Sequence, residues 1–162
     1  VTTPVADDDI VSGATAYLMA QPEVLAVLGT YPGTTVPYLF QRRMWAEMKA
    51  SSSTACMIWS EGGWTAANLH NTLRFPRLSV EIWTDPLRDG QNNVIDPGEV
   101  YRRSNRAFTV IDSFLHRPQG GTQWWGGIRT VNCTRQTDPT VYEVPDGDGL
   151  LRLLVSYAVT QG

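Results

Sequence analysis

Two histidines, His70 and His116, and two cysteines, Cys56 and Cys133, are the side chains best suited to nucleophilic or metal chemistry. Such chemistry needs one of these groups held against a second titratable side chain. No Gly-x-Ser-x-Gly elbow accompanies His70, and His116 falls at the end of a predicted helix, where a cation complements the dipole. Neither a P-loop nor Gly-x-Gly-x-x-Gly is present, and no Cys/His cluster has metal-ligand spacing. Counting from Asp85, the residues Asp89, Gly90 and Asp96 take positions five, six and twelve of a calcium loop. Leu87 stands at position three, where an oxygen is needed, so the stretch reads as a polar loop ending in a helix cap. Glu61, Glu81, Asp85 and Glu143 could supply paired carboxylates, but nothing in the sequence sets two of them together. The reading is of a non-enzyme with no metal and no cofactor. A small cytosolic enzyme with a site built from His70, Glu61 and Asp85 is the remote alternative.

Tryptophan and arginine carry the stronger signal. There are six Trp, and twelve Arg stand against the single Lys49. Interfaces are enriched in Trp and Arg and depleted in Lys. Trp59 lies in an apolar run and reads as core. Trp83 points to the polar side of its strand and needs a helix over it or a partner. Trp64, Trp124 and Trp125 sit in glycine-rich segments. Arg102, Arg103 and Arg106 form a basic patch on one helix. These seven residues, Trp64, Trp83, Trp124, Trp125, Arg102, Arg103 and Arg106, are the candidate subunit or partner contacts.

The elements that must position them follow from periodicity and punctuation. Residues 1–8 read as a loose arm and 9–162 as one domain. Asp9 caps a first helix with Ile10, Ala14, Tyr17 and Leu18 on one face. Pro22 opens a second, short helix to Leu28, closed by Gly29. Residues 38–50 mix strand and helix signals. Ala55 to Trp59 reads as a strand, Glu61-Gly62-Gly63-Trp64 as a turn away from it, and 65–72 as loop. Alternating Leu78, Val80 and Ile82 predict a strand over Pro76 to Thr84. The best helix starts at Asp96, with Pro97 at its first position and Glu99 completing a capping box. Its buried stripe is Val100, Ser104, Ala107, Phe108, Ile111, Phe114 and Leu115, and His116 and Arg117 end it as cations. A Gly- and Trp-rich loop over 119–127 precedes three strands: Ile128 to Arg135, Val141 to Val144 and Leu150 to Val159, the last with Leu151, Leu153, Val155, Tyr157 and Val159 on one face. Asp146-Gly147-Asp148-Gly149 is the hairpin between the last two. The sum is an α+β domain: a mostly antiparallel sheet of about four to five strands with helices packed on one face.

Bulk properties bound the partners. The 162 residues are 18% charged with formal net charge −3. That argues against a protein that coats nucleic acid, since such domains are strongly basic. No stretch reaches the ~18 apolar residues of a membrane span. Asp7-Asp8-Asp9 carries the wrong charge for a signal peptide, so secretion is not expected, and the Asn132-Cys133-Thr134 sequon has no evident use. Few charges with many large aromatics point to surface that does not meet water.

At this point the chain resembles the tail terminator proteins of long-tailed bacteriophages. The resemblance spans about residues 10–160. It rests on a helix leading to Gln21-Pro22-Glu23-Val24-Leu25-Ala26-Val27-Leu28-Gly29, and on the stretch from Asn71-Thr72-Leu73-Arg74-Phe75-Pro76-Arg77-Leu78 through Trp83-Thr84-Asp85-Pro86. A long helix with Arg103, Arg106 and Ala107 follows, running to Phe114-Leu115-His116. Then come Gly127-Ile128-Arg129, a hairpin and a last strand over Leu150 to Val159. Residues 38–72 and the Trp124-Trp125 segment depart from the family pattern. The resemblance implies an α+β protomer in a homohexameric ring that caps the tail tube, stops its polymerisation and meets the head–tail connector. Its partners would be its own copies, the tail tube protein and the connector protein, with DNA passing through the lumen without specific binding and no membrane contact. Its place would be the head–tail junction of the virion, after assembly in the bacterial cytoplasm. A head-closure or connector protein is the alternative within the same class.

Overall fold

The computed structural model describes residues 7–31, 33–40, 51–67 and 72–162. Residues 1–6 of the expected arm, and 41–50 of the stretch with mixed signals, lie outside them. Helix α1 (Asp7–Met19) buries Ile10, Ala14 and Leu18, one residue per turn along a single stripe. Helix α2 (Pro22–Val27) starts on proline, whose missing N–H costs nothing there. It ends one residue earlier than expected, because Leu28 is already extended. Gly29 serves close approach and not a left-handed cap: a Cβ there would meet the Ser53 side chain at 3.0 Å, and its N–H donates to the Thr54 carbonyl at 2.8 Å.

Strand β1 (Leu39–Phe40) pairs parallel to β2 (Thr54–Ala67), and β2 pairs antiparallel to β3 (Thr72–Thr84). The turn expected at Glu61-Gly62-Gly63-Trp64 is instead a register shift inside β2, between Ser60 and Gly63. Gly63 then faces Pro76, which has no N–H to give to a ladder. A glycine-rich bulge opposite a proline therefore lets the strand run on to Ala67, through residues that read as loop.

Helix α3 (Pro97–Leu115) is capped by Asp96, whose carboxylate accepts from the Gly98 N–H at 2.9 Å. Glu99 does not close the predicted capping box. It turns outward to Arg103, with oxygens at 2.7 and 2.9 Å. Of the predicted stripe, Val100, Ser104, Ala107, Ile111 and Leu115 are buried, while Phe108 and Phe114 are half-buried against the core.

The Gly- and Trp-rich segment is a hairpin. Strand β4 (Gln123–Trp125) pairs with β5 (Ile128–Arg135) through Gly126 and Gly127, at φ +56° and +93°. Two successive positive φ values make the tight turn that matches strand twist, and only glycine takes both freely. Strands β6 (Thr140–Glu143) and β7 (Leu151–Gln161) form the last hairpin.

The sheet has seven strands in the described residues, more than the expected four to five, ordered β1-β2-β3-β7-β5-β4, with β6 also on β7. It is antiparallel apart from the β1–β2 pair. One edge of β7 lies along β3; its other edge is shared, by β6 over Leu151 to Leu154 and by β5 over Tyr157 to Gln161. Period-two alternation sorts the side chains. Cys56, Ile58, Leu78, Val80, Ile82, Leu153, Val155, Tyr157 and Val159 join residues of the three described helices in the main core. Ala55, Met57 and Trp83 turn the other way, into a second cluster with Tyr38 and Leu150.

Candidate assembly surface

The loop from Asp85 to Asp96 is held by three acids doing three local jobs. Asp85 is fully buried; it accepts from the Ser52 N–H at 2.8 Å and from Arg88 Nη2 at 3.2 Å. Asp89 accepts from the N–H groups of Gln91 and Asn93, which hold its carboxyl below the usual range. Asp96 is lowered first by its bond from Gly98 and then by Arg102. Among the described residues no three His, Cys, Asp or Glu converge. The calcium-like spacing is thus spent on turn and cap geometry.

The other acids are also separately engaged. Glu81 is buried beside Arg152 and accepts from the Trp59 indole N–H at 2.8 Å. Arg152 stacks over both Trp83 and Tyr142, each at 5.4 Å. Glu143 faces the Tyr101 hydroxyl. Asp112 accepts from the Tyr157 hydroxyl and from Arg135 Nη1, both at 2.7 Å. None of Glu81, Asp85 and Glu143 shares a partner with another. His70 and the side chain of Glu61 lie outside the described residues. His116 caps α3, but its Nδ1 accepts the Arg135 N–H at 2.9 Å, so it links the helix end to β5. Arg117 also leaves the helix end: it bonds Thr130 Oγ1 at 2.8 Å and the Gly121 carbonyl, and lies 5.7 Å over the Trp125 ring.

The seven candidate contacts separate by environment. Trp125 is wholly buried, stacked on Tyr17 with centroids 5.7 Å apart. Trp83 is buried under Arg152. Trp64 lies in β2, with its side chain outside the described set. Arg102 pairs with Asp96 at 2.8 Å. Arg103 binds Glu99 and donates to the Asp85 carbonyl at 2.8 Å, tying α3 to the loop. Trp124 and Arg106 remain. Trp124 is 64% exposed, and Arg106 is exposed with no hydrogen bond or ion pair among the described residues. Arg106 lines a cavity of about 330 Å³ between α2 and α3, together with Ala26, Val27, Leu28, Ser53 and Leu87.

Arg152 and Arg117, which cover tryptophans within the chain, are not among the seven contacts expected from the sequence. Alternation placed Arg152 and Trp83 off the apolar faces of their strands, but only strand pairing makes them neighbours (Trp83 opposite Arg152).

No family model and no curated protein matches the chain. A solved structure does. A chain of the virion of a native gene transfer agent particle superposes with a TM-score of 0.64 at 15% identity, covering 98% of this chain and 100% of that one. At that identity the likeness is one of fold. No helix among the described residues is long and apolar enough to cross a membrane.

Proposed function

We propose that this chain is a structural protein of a phage-like virion: a single-domain tail terminator. Its copies would form a six-membered ring that caps the tail tube, ends its growth and offers a face to the head–tail connector. The observation that carries the reading is end-to-end sharing of fold with a virion chain. The terminator resemblance over residues 10–160 narrows the role within that class. The described chemistry fits an assembly part, because its acids and cations are used to hold loops and strands. Of the seven candidate contacts, the Trp124 indole and the Arg106 guanidinium are the side chains among the described residues left for contacts. A ring needs two different patches per protomer, and a heterologous contact closes when its rotation closes. The protein would act at the head–tail junction without catalysis, with DNA passing through the lumen.

Native mass spectrometry of the purified protein, alone and with tail tubes, tests the ring. A hexamer is expected; a strict monomer at high concentration that also ignores tubes would remove the reading. Deleting the gene from its phage tests the role. Overlong, headless tubes are expected. Leaking heads beside tails of normal length would assign the chain to head closure.

A further inference from the structure

We propose that Trp124 of one copy inserts into the cavity between α2 and α3 of the next copy, with Arg106 of that copy over the indole. The proposal rests on the ring reading and says which two patches meet.

Trp124 stands on a stiff support. Its hairpin turns on Gly126-Gly127, and α1 is seated directly against it: a Cβ on Gly13 would meet the Trp125 carbonyl oxygen at 2.6 Å. Trp125 is locked into the core, which fixes Trp124 on the opposite side of the strand, facing solvent. A rigid, exposed aromatic is a low-entropy anchor that can bury about 150–250 Å².

The cavity fits one such side chain. At about 330 Å³ it lies at the small end of ligand pockets, which run about 300–1,000 Å³. Its lining combines apolar Val27, Leu28 and Leu87 with the Glu99–Arg103 ion pair, already satisfied within the chain, and the cation Arg106. Two tryptophans of this chain already sit under arginines: Trp125 under Arg117 and Trp83 under Arg152. Among the described residues no cation is stacked over Trp124, whose cross-strand neighbour is Arg129, and the Arg106 side chain has no hydrogen bond or ion pair. They are complementary halves of an interaction the protein uses elsewhere, worth more once desolvated. Trp124 does not line the cavity of its own chain. Knob and hole lie on different elements, so joining them across copies is heterologous, as a ring requires.

The test uses two exposed positions, Trp124→Ala to remove the knob and Ala26→Trp to fill the hole, with unchanged melting temperatures as the folding control. Self-association is measured by sedimentation velocity and native mass spectrometry, with tail tubes added if the wild type needs them. Each variant alone should associate about thirtyfold more weakly than wild type, the usual size of a hot-spot loss. Trp124→Phe should recover part of that loss. A one-to-one mixture of the two variants has one intact knob and one intact hole, so it should form a dimer that grows no further. Normal rings from either variant would overturn this contact while leaving the ring reading in place. Normal rings from Trp124→Ala that fail only in capping tubes would also overturn it, and would give Trp124 to the tube. A wild type that never assembles would take both proposals away.

Discussion

Burial decides what single side chains do here. Burial raises the Cys133 thiol from 9.0 to about 12, and burial, with Glu81 nearby, pushes Cys56 up as well. Tyr157 rises for the same reason, aided by its bond to Asp112. Each of these groups stays protonated in the fold after the unfolded chain has begun to ionise. Their contribution is therefore complete below about pH 9 and is lost as pH climbs through the folded values. Each thiol adds a slope of up to about 1.4 kcal/mol per pH unit in that window. Urea denaturation between pH 8 and 11 should show steady destabilisation, and both thiols should resist alkylation in the native protein at pH 8. Rapid native labelling would contradict their burial. Trp125 makes the complementary case. It is stacked on Tyr17, under Arg117 and against Gly13, so Trp125→Ala should cost about 3–5 kcal/mol. That loss would appear in chemical denaturation, whereas Trp124→Ala should leave stability nearly unchanged.

At the scale of elements, arginine joins pieces that sequence separates. Arg103 connects α3 to the end of β3 and to the Ser52 region, through the carbonyls of Asp85 and Ser52 and the carboxylate of Glu99. A guanidinium reaches all three because its donors are fixed in a planar fork; an ammonium cannot. Arg103→Lys should therefore lose about 1–3 kcal/mol, close to the loss in Arg103→Ala, and calorimetry would read either as a lower Tm. Full stability in the lysine variant would show that charge alone suffices. How far the elements were legible follows from the range of their causes. The stripe of α3 and the alternation in β7 are local and periodic, and both were readable. The continuation of β2 past Gly62-Gly63 was not, because the bulge answers a proline on another strand. The β4 strand was hidden by its own turn glycines, which make a hairpin only if a partner strand follows at once. For the same reason seven candidate contacts reduce to two with free side chains among those described. Covering Trp83 and Trp125 takes Arg152 and Arg117, each from another element.

At the scale of the whole molecule, charge bears on what can pass a ring of such chains. Thirteen cationic side chains face sixteen acids, for a net charge of −3 with neutral histidines. Five of the cations are internally matched: Arg88, Arg102, Arg103, Arg135 and Arg152 each have a carboxylate partner. These five release few counterions from DNA, counterion release supplies most non-specific affinity, and the surplus of acids opposes what the other cations could gain. Passage of DNA through the proposed lumen would then be governed by bore and repulsion, leaving the duplex free to slide. Fluorescence anisotropy with a labelled duplex at 0.15 M salt should accordingly give a Kd weaker than about 10⁻⁴ M, the loose end of non-specific binding. Lowering the salt should tighten it only slightly, because the slope counts phosphates neutralised and a net charge of −3 leaves no cationic excess to neutralise them. Micromolar binding with a steep salt dependence would mean that arginines outside the described pairs line a DNA-holding surface, and passive passage would have to be abandoned.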